Sequence, residues 1–173
     1  MGRWSLIPPG TNKPPAYPLN NAHSDKLTGW LWKAVARQRC LIPVSGFWAP
    51  EKPAKAPGNV PWSYYSMKDC RPFFVAGLWS DASDPRTGEI ADSYTMVIGE
   101  ANAAMRIHDR MPAILGTDAA CRWIELEPLP AELLVPYPAQ GCGPGASATT
   151  PRAAGSSRMR GWRRRSRLPE TPS

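Results

Sequence analysis

Phe73-Phe74-Val75-Ala76-Gly77-Leu78-Trp79 is the stretch of this sequence with the clearest strand character. A second segment rich in aromatic residues, Trp62–Met67, precedes it. Between them, residues 68–71 read Lys-Asp-Cys-Arg, a short polar connection of the kind that joins the strands of a hairpin. The two segments therefore predict a β-hairpin and antiparallel pairing.

Shorter segments predict further strands and a few short helices. The 21 prolines favour loops and short strands over long helices. Strands are expected near residues 3–7, at 40–44, at 47–48 after a break at Gly46, and at 93–98. Helical segments are expected around Leu27, Trp30 and Leu31, at 100–105, from an N-cap at Thr117 through Trp123, and as one turn at 130–134. We predict a compact α+β domain, rich in β structure, of mainly antiparallel short strands with a few short helices.

The net charge of +7 is concentrated at one end of the chain. Residues 1–139 contain 14 lysines and arginines against 13 acidic residues, whereas residues 140–173 contain seven arginines against one glutamate. The second segment has too few apolar residues to offset the entropy of ordering it, so we expect a domain over 1–139 and a disordered tail over 140–173. Three explanations of the tail stay open: a basic arm that binds nucleic acid, a solvated tail without a task, or GC-rich DNA translated out of frame.

Apolar runs, cysteines and histidines indicate the broad class of protein. No apolar run has membrane-spanning length and no signal-peptide pattern opens the chain, so a soluble intracellular protein is expected. The four cysteines are scattered without a CxxC pair and there are only two histidines, so neither a metal site nor a cofactor is predicted. Cys40 and Cys121 are expected to fill the core.

The stretch Ile107-His108-Asp109-Arg110-Met111-Pro112 carries the first indication of chemistry. Histidine can accept or donate a proton near neutral pH, and the ordered elements before this stretch can orient its ring. His108 is therefore a candidate general acid or base. For this stretch alone, a histidine that caps a helix or bonds a backbone carbonyl is the more common finding.

Five segments occur in order along the chain, and together they resemble one family. They are residues 3–9 (Arg-Trp-Ser-Leu-Ile-Pro-Pro), 21–27 (Asn-Ala-His-Ser-Asp-Lys-Leu), 39–48 (Arg-Cys-Leu-Ile-Pro-Val-Ser-Gly-Phe-Trp), 72–79 and 100–112. In this order they resemble the SOS response-associated peptidase (SRAP) family, the abasic-site processing proteins, over residues 3–138. Ordered matches of this number are more specific than any single motif.

The resemblance implies a β-rich α+β domain with a basic cleft for single-stranded DNA. In the family, an N-terminal cysteine condenses with the ring-opened aldehyde of an abasic site and gives a thiazolidine, because an amine beside a thiol closes a five-membered ring. Asn21 and His108 correspond to the asparagine and histidine that position the sugar and move protons. His23 stands where the family has a phosphate-binding arginine, and the shorter, mostly neutral side chain is expected to bind phosphate more weakly.

Other contacts with DNA are expected around these positions. Arg110 matches the family motif and Arg106 lies near it in sequence, so both are candidate phosphate contacts. Trp48 and Trp79 are candidate base-stacking residues, although aromatic residues in strands also serve as core. For Asn21, a role in a turn or helix cap is the alternative.

Two positions depart from the family pattern. The family's glutamate directly follows the Gly-Phe-aromatic segment; that position is Ala49 here, and Glu51 lies beyond a proline. The chain also begins close to its Arg-Trp-x-Leu-Ile-Pro segment, without the family's preceding portion and its Met-Cys start, and residue 2 is Gly2. We therefore expect a truncated copy that lacks cross-linking activity, through either a wrong start codon or true loss.

The leading hypothesis is a protein of the DNA-damage (SOS) response that descends from an abasic-site cross-linking and peptidase-like enzyme. It is expected to bind single-stranded DNA as a monomer, without metal, cofactor or membrane, in the bacterial cytoplasm and at the nucleoid when bound. Three alternatives stay open: a non-catalytic single-stranded DNA binder, a thiol hydrolase that uses Cys40 or Cys121 with His108, and a decayed gene product.

Overall fold

The computed structural model describes residues 2–50, 62–105 and 108–144. Within these ranges the strands are β1 Arg3–Trp4, β2 Asn21–His23, β3 Arg39–Val44, β4 Phe47–Pro50, β5 Trp62–Met67, β6 Phe73–Ser80, β7 Ser93–Glu100, β8 Arg110–Pro112, β9 Ile114–Leu115 and β10 Cys142–Pro144. The α-helices are α1 Trp30–Lys33 and α2 Thr117–Glu125, with single 3₁₀ turns at Ser24–Lys26 and Ala131–Leu133. The predicted α+β class, rich in short and mainly antiparallel strands, is confirmed.

The predicted hairpin of β5 and β6 is wrong, because the two strands belong to different sheets. β6 pairs with β3 along one edge and with β7 and β9 along the other, whereas β5 lies between β4 and β10 in a separate three-stranded sheet. The polar connection does turn the chain, since the Cys70 N–H donates to the Met67 carbonyl at 3.0 Å. A turn signal fixes the reversal of the chain but not the strand that pairs afterwards.

β7 is the strand around which the larger sheet is organised. β1 and β2 run parallel to it along one edge, and β6 and β8 run antiparallel to it. The segment from β8 to β9 passes from β7 to β6: the Ala113 N–H donates to Val97 O, and the Ala113 carbonyl accepts from Ala76 N–H, both at 2.9 Å. β8 and β9 thus pair with the parts of β7 and β6 that lie beyond Met96 and Gly77, where these two strands no longer pair with each other.

Buried side chains form two clusters on opposite faces of the larger sheet. Alternate residues of β6 point to opposite faces, so Ala76 and Leu78 join one cluster and Phe73 and Val75 join the other. The first cluster is covered by α1 and α2 through Trp32, Val35 and Trp123. The second fills the space between the two sheets and includes Ala49, Tyr65, Met67, Met105, Met111 and Ile114. The long apolar run of β6 is thus explained by burial on both faces.

Three helical predictions need correction. Leu27 and Trp30 do not belong to one helix, because Leu27 follows a 3₁₀ turn and α1 begins only at Trp30. The two side chains therefore do not share a helix face, and Trp30 is 82% exposed. Residues 100–105 form no helix: Glu100 ends β7, and a turn follows in which the Met105 N–H donates to Asn102 O at 3.0 Å. Thr117 is the first residue of α2, and Gly116 is its N-cap.

The C-terminal part of the described chain extends the smaller sheet. β10 pairs antiparallel with β5 in the register Cys142 opposite Met67. This strand lies beyond the domain boundary that was predicted at residue 139. Backbone pairing needs no apolar side chains, which is why composition does not reveal this strand. Residues 145–173 of the predicted tail and 51–60 of the predicted loop lie outside the described residues. No helix within the described ranges is both long and apolar enough to cross a membrane.

Arg39 joins β3 to the end of α2 through a buried guanidinium. Its side chain is 2% exposed. The guanidinium donates to the carbonyls of Trp123 at 2.5 Å and Ala36 at 2.7 Å, and also to the Leu126 carbonyl. Its charge is partly balanced by Glu127, whose Oε1 lies 3.4 Å from Nη2. The last carbonyls of a helix lack partners within the helix, so a cation placed there satisfies them and interacts favourably with the helix dipole.

We expect Arg39→Met to lower the free energy of unfolding by about 3 kcal/mol, because it leaves buried carbonyls without donors. Urea denaturation followed by circular dichroism measures the change. Arg37→Met is the control, since Arg37 is 85% exposed and contacts Glu127 only at 3.6 Å; its effect should stay below about 0.5 kcal/mol. Equal effects of the two substitutions would contradict this account of Arg39.

Candidate functional site

A depression of about 320 Å³ lies where the end of β7 approaches β4 and β5. We call it the site depression. It is lined by Asn21, Phe47, Trp48, Ala49, Trp62, Met96, Ile98, His108, Arg110, Met111 and Pro112. Four of the predicted site residues, Asn21, Trp48, His108 and Arg110, therefore meet on one surface although up to 89 positions separate them in sequence.

The strand register around β7 brings Asn21 and Arg110 to this surface. β2 pairs in parallel with β7 in the register Asn21 opposite Met96, and β8 pairs antiparallel with Arg110 opposite Glu100. Because both strands pair with β7, Asn21 and Arg110 flank the C-terminal end of β7 from opposite edges. Asn21 is exposed at the rim, where its amide offers both a donor and an acceptor.

His108 is held by the backbone that follows it. Its Nδ1 accepts a hydrogen bond from the Arg110 backbone N–H at 3.1 Å and lies 3.4 Å from Asp109 Oδ1. An imidazole that accepts at Nδ1 carries its proton at Nε2 in the neutral form. The side chain is 34% exposed, so the ring lies partly in the depression and partly against protein.

Arg110 supplies the only lysine or arginine side chain among the described residues that line the depression. Its Nη1 lies 3.3 Å from Asp25 Oδ1, and the side chain is 29% exposed. The pKa of the Asp25 carboxyl is lowered: partial desolvation opposes the shift, but hydrogen bonds and the charge of Arg110 outweigh it. No carboxylate is among the described residues that line the depression, and Asp25 beside it balances the charge of Arg110.

Aromatic side chains of β4 and β5 form one wall of the depression. Trp48 lies opposite Tyr64, with ring centroids 5.1 Å apart. Trp62 is two residues before Tyr64 on the same strand, so it projects from the same face. Trp48 and Trp62 are 39% and 44% exposed, which leaves ring surface open to a ligand. Sequence analysis missed Trp62, because its place beside Trp48 depends on the β4–β5 pairing.

Ala49 occupies the position at which the family resemblance implies glutamate. It lies opposite Ser63, is 5% exposed and packs in the cluster between the two sheets. Its methyl group contributes to the depression without any group that can transfer a proton. Glu51, the nearest glutamate in sequence, lies outside the described residues.

Three other predicted residues are not on this surface or are not described. His23 is half-buried on β2, and its buried Nδ1 has no hydrogen-bond partner. Trp79 lines a separate apolar groove together with Cys40 and Tyr94. Arg106 lies outside the described residues.

The surroundings of Cys40 do not activate its thiol. Cys40 is half-buried, and desolvation by burial raises the pKa of its thiol to about 11. It lies in the groove with Trp79, apart from the depression that His108 lines. Cys121 is exposed, so its predicted core position is wrong: α2 turns Ala120 and Trp123 inward and Cys121 outward. A raised thiol pKa lowers the thiolate fraction, which argues against a thiol hydrolase that uses Cys40.

We expect Cys40 to resist alkylation by iodoacetamide at pH 7.5, because the thiolate is the reacting species and the pKa of about 11 leaves little of it. Exposed Cys70 and Cys121 should react first. Peptide mass spectrometry measures the extent at each position, with urea-unfolded protein as the control in which Cys40 reacts. Faster labelling of Cys40 than of Cys70 in the native protein would contradict the expectation.

Comparison with known sequences identifies a family and several relatives. Residues 1–142 match the sequence profile described as SOS response associated peptidase (SRAP). The chain is 31% identical over 153 residues to the abasic site processing protein HMCES of Xenopus tropicalis, a match that covers 75% of this chain and 46% of the relative. It is 30% identical over 148 residues to the abasic site processing protein YoaM of Bacillus subtilis, covering 79% and 63%. The chain thus spans about half to two thirds of the length of these relatives.

Solved structures share the fold. A crystal structure of a Bordetella bronchiseptica protein aligns with a TM-score of 0.66 at 29% identity, covering 82% of this chain and 73% of that chain. A Bacteroides thetaiotaomicron protein aligns with the same TM-score of 0.66 at 23% identity, covering 80% and 65%.

Proposed function

Because this chain belongs to the SOS response associated peptidase (SRAP) family, we propose that it binds single-stranded DNA and recognises abasic sites in it. The observation that carries the proposal is the site depression, where the amide of Asn21, the imidazole of His108, the guanidinium of Arg110 and the indole of Trp48 open to one surface. Relatives named abasic site processing proteins support the choice of lesion.

Each of these groups suits one part of a DNA strand that has lost a base. The ring-opened sugar of an abasic site presents hydroxyls and an aldehyde, for which the Asn21 amide offers a donor and an acceptor. The bond at Nδ1 places the proton of the neutral ring on Nε2, so His108 can donate a hydrogen bond from Nε2 to the aldehyde oxygen and polarise it. Arg110 suits a backbone phosphate.

The aromatic wall suits the bases beside the lesion. Every base has a π-face, so stacking on indole rings tolerates any sequence. Trp48 and Trp62 project from one face of β4–β5 with open ring surface. A flanking base stacked there leaves the baseless sugar over Asn21 and His108. Stacking and one cation together describe a site for unpaired strands rather than for duplex DNA.

We propose that the covalent step is impaired in this chain. Condensation of an amine with the aldehyde needs a proton to leave nitrogen and a water molecule to leave carbon, so it benefits from two acid–base groups. The position at which the resemblance implies glutamate is Ala49, whose side chain cannot carry a proton. His108 is then the acid–base group left among the described lining residues. Ala49 also favours the second candidate function, non-catalytic binding of single-stranded DNA.

We expect the purified chain to shift single-stranded DNA carrying one abasic site in a native gel and to leave no heat-stable band in a denaturing gel. The reason is that binding groups are present and one proton-transfer group is missing. A borohydride-reduced sample is the control, because reduction traps any imine that forms. A heat-stable band without reduction would contradict the proposed impairment, and the absence of binding would contradict the proposed function.

We expect Trp48→Ala to weaken binding of abasic single-stranded DNA about 5- to 150-fold, since stacking contributes about 1–3 kcal/mol per base. Fluorescence anisotropy of a labelled oligonucleotide measures the Kd. Trp79→Ala is the matched control: Trp79 is 37% exposed, close to the 39% of Trp48, but lines the other groove. Equal losses for both variants, or a loss for Trp79→Ala alone, would be inconsistent with stacking in the site depression.

A further inference from the structure

We propose that Asp25 sets the affinity of the site for DNA: its carboxylate competes with DNA phosphate for Arg110 and so weakens binding of single strands, whether undamaged or abasic. The inference rests on the proposed function, because it concerns the same surface. Asp25 does not line the depression, and no sequence pattern singles it out as a contact of the DNA. Its role follows from where the fold places its carboxylate.

The strand register brings the Asp25 carboxylate to the Arg110 guanidinium. His23 of β2 and Pro112 of β8 both pair with Ile98, so the two strands lie on opposite edges of β7 at this level. Asp25 follows His23 by two residues and Arg110 precedes Pro112 by two. Their side chains meet across the end of β7, with Nη1 3.3 Å from Oδ1.

The ion pair is exposed enough for Arg110 to exchange the Asp25 carboxylate for another anion. The Asp25 side chain is 53% exposed and that of Arg110 is 29% exposed. Ion pairs in water contribute little, because solvent screens them and both side chains lose freedom. A phosphate can therefore replace the Asp25 carboxylate on Arg110 without stranding a buried charge, and the released carboxylate returns to water.

The exchange affects DNA binding because Arg110 carries most of the positive charge at the site. Arg110 is the only lysine or arginine among the described residues that line the depression. Asp25, and Glu100 opposite Arg110 on β7, both offset its charge. The Asp25 carboxyl is ionised at neutral pH, since its pKa is lowered by hydrogen bonds and by Arg110 despite partial desolvation. A DNA phosphate therefore competes with the Asp25 carboxylate for the guanidinium.

The competition acts on undamaged and abasic strands alike. Phosphate contacts carry no information about damage, because every nucleotide supplies them. Removal of the Asp25 carboxylate should therefore strengthen binding of both kinds of strand by the same factor. The preference for abasic strands, which depends on groups such as Asn21 and His108, should stay unchanged.

Asp25→Asn tests the inference through the salt dependence of DNA binding. The Kd for an undamaged and for an abasic oligonucleotide is measured by anisotropy between 50 and 300 mM salt. One additional phosphate contact steepens the slope of log K against log salt by about 0.7 for single strands. We expect this change for Asp25→Asn with both oligonucleotides, together with about 3- to 10-fold tighter binding at the lowest salt.

Two controls separate the role of Asp25 from a general change of charge. Asp81→Asn removes the same charge from an exposed residue at the other end of the sheet, directly after β6, and should leave the slope unchanged. In an Arg110→Gln background, Asp25→Asn should no longer alter the slope, because the competing partner is gone.

The possible results support or overturn the inference separately from the proposed function. If the native chain and Asp25→Asn both bind with equal slopes, the inference is wrong while the proposed function stands. A steeper slope for Asp81→Asn as well, or for Asp25→Asn in the Arg110→Gln background, also overturns it. If neither protein binds single-stranded DNA, the proposed function and the inference both fail.

Discussion

The pairing of β7 along both edges is the constraint on which the site depends. Ile98 pairs with His23 on one side and with Pro112 on the other, so the parallel β2 and the antiparallel β8 are aligned by the same residue. A slip of one residue in either strand would turn its side chains to the opposite face. Asn21 and Arg110 would then leave the depression, and His108, which is bonded to the Arg110 backbone, would move with it.

The second wall of the site depends on a change of sheet at Gly46. β3 belongs to the larger sheet and β4 to the smaller one, and the chain passes between them at Ser45 and Gly46. A Cβ atom on Gly46 would lie 2.3 Å from the Tyr64 ring, so only glycine permits this close approach. The crossing places β4 beside β5 and thereby sets Trp48 against Tyr64.

Sequence patterns predicted the elements better than their partners. The strands β3, β4, β6 and β7 lie where apolar and aromatic runs indicated, because burial imposes a local composition. The β5–β6 hairpin and the single helix face through Leu27, Trp30 and Leu31 were wrong because both depend on the assembly of the whole domain. Of the residues that line the site depression, Asn21, His108 and Arg110 were predicted from ordered motifs. Trp62 and Asp25 were missed, since only the three-dimensional pairing shows what they lie beside.

The most direct measurement is an NMR titration of the indole N–H groups of the protein with single-stranded DNA that carries one abasic site. The seven tryptophans within the described residues occupy different surroundings, so each indole reports on its own. Binding in the site depression predicts large shifts for Trp48 and Trp62 and none for buried Trp123 or for Trp79. Shifts confined to Trp79 and Trp4, with Trp48 and Trp62 unchanged, would contradict the account.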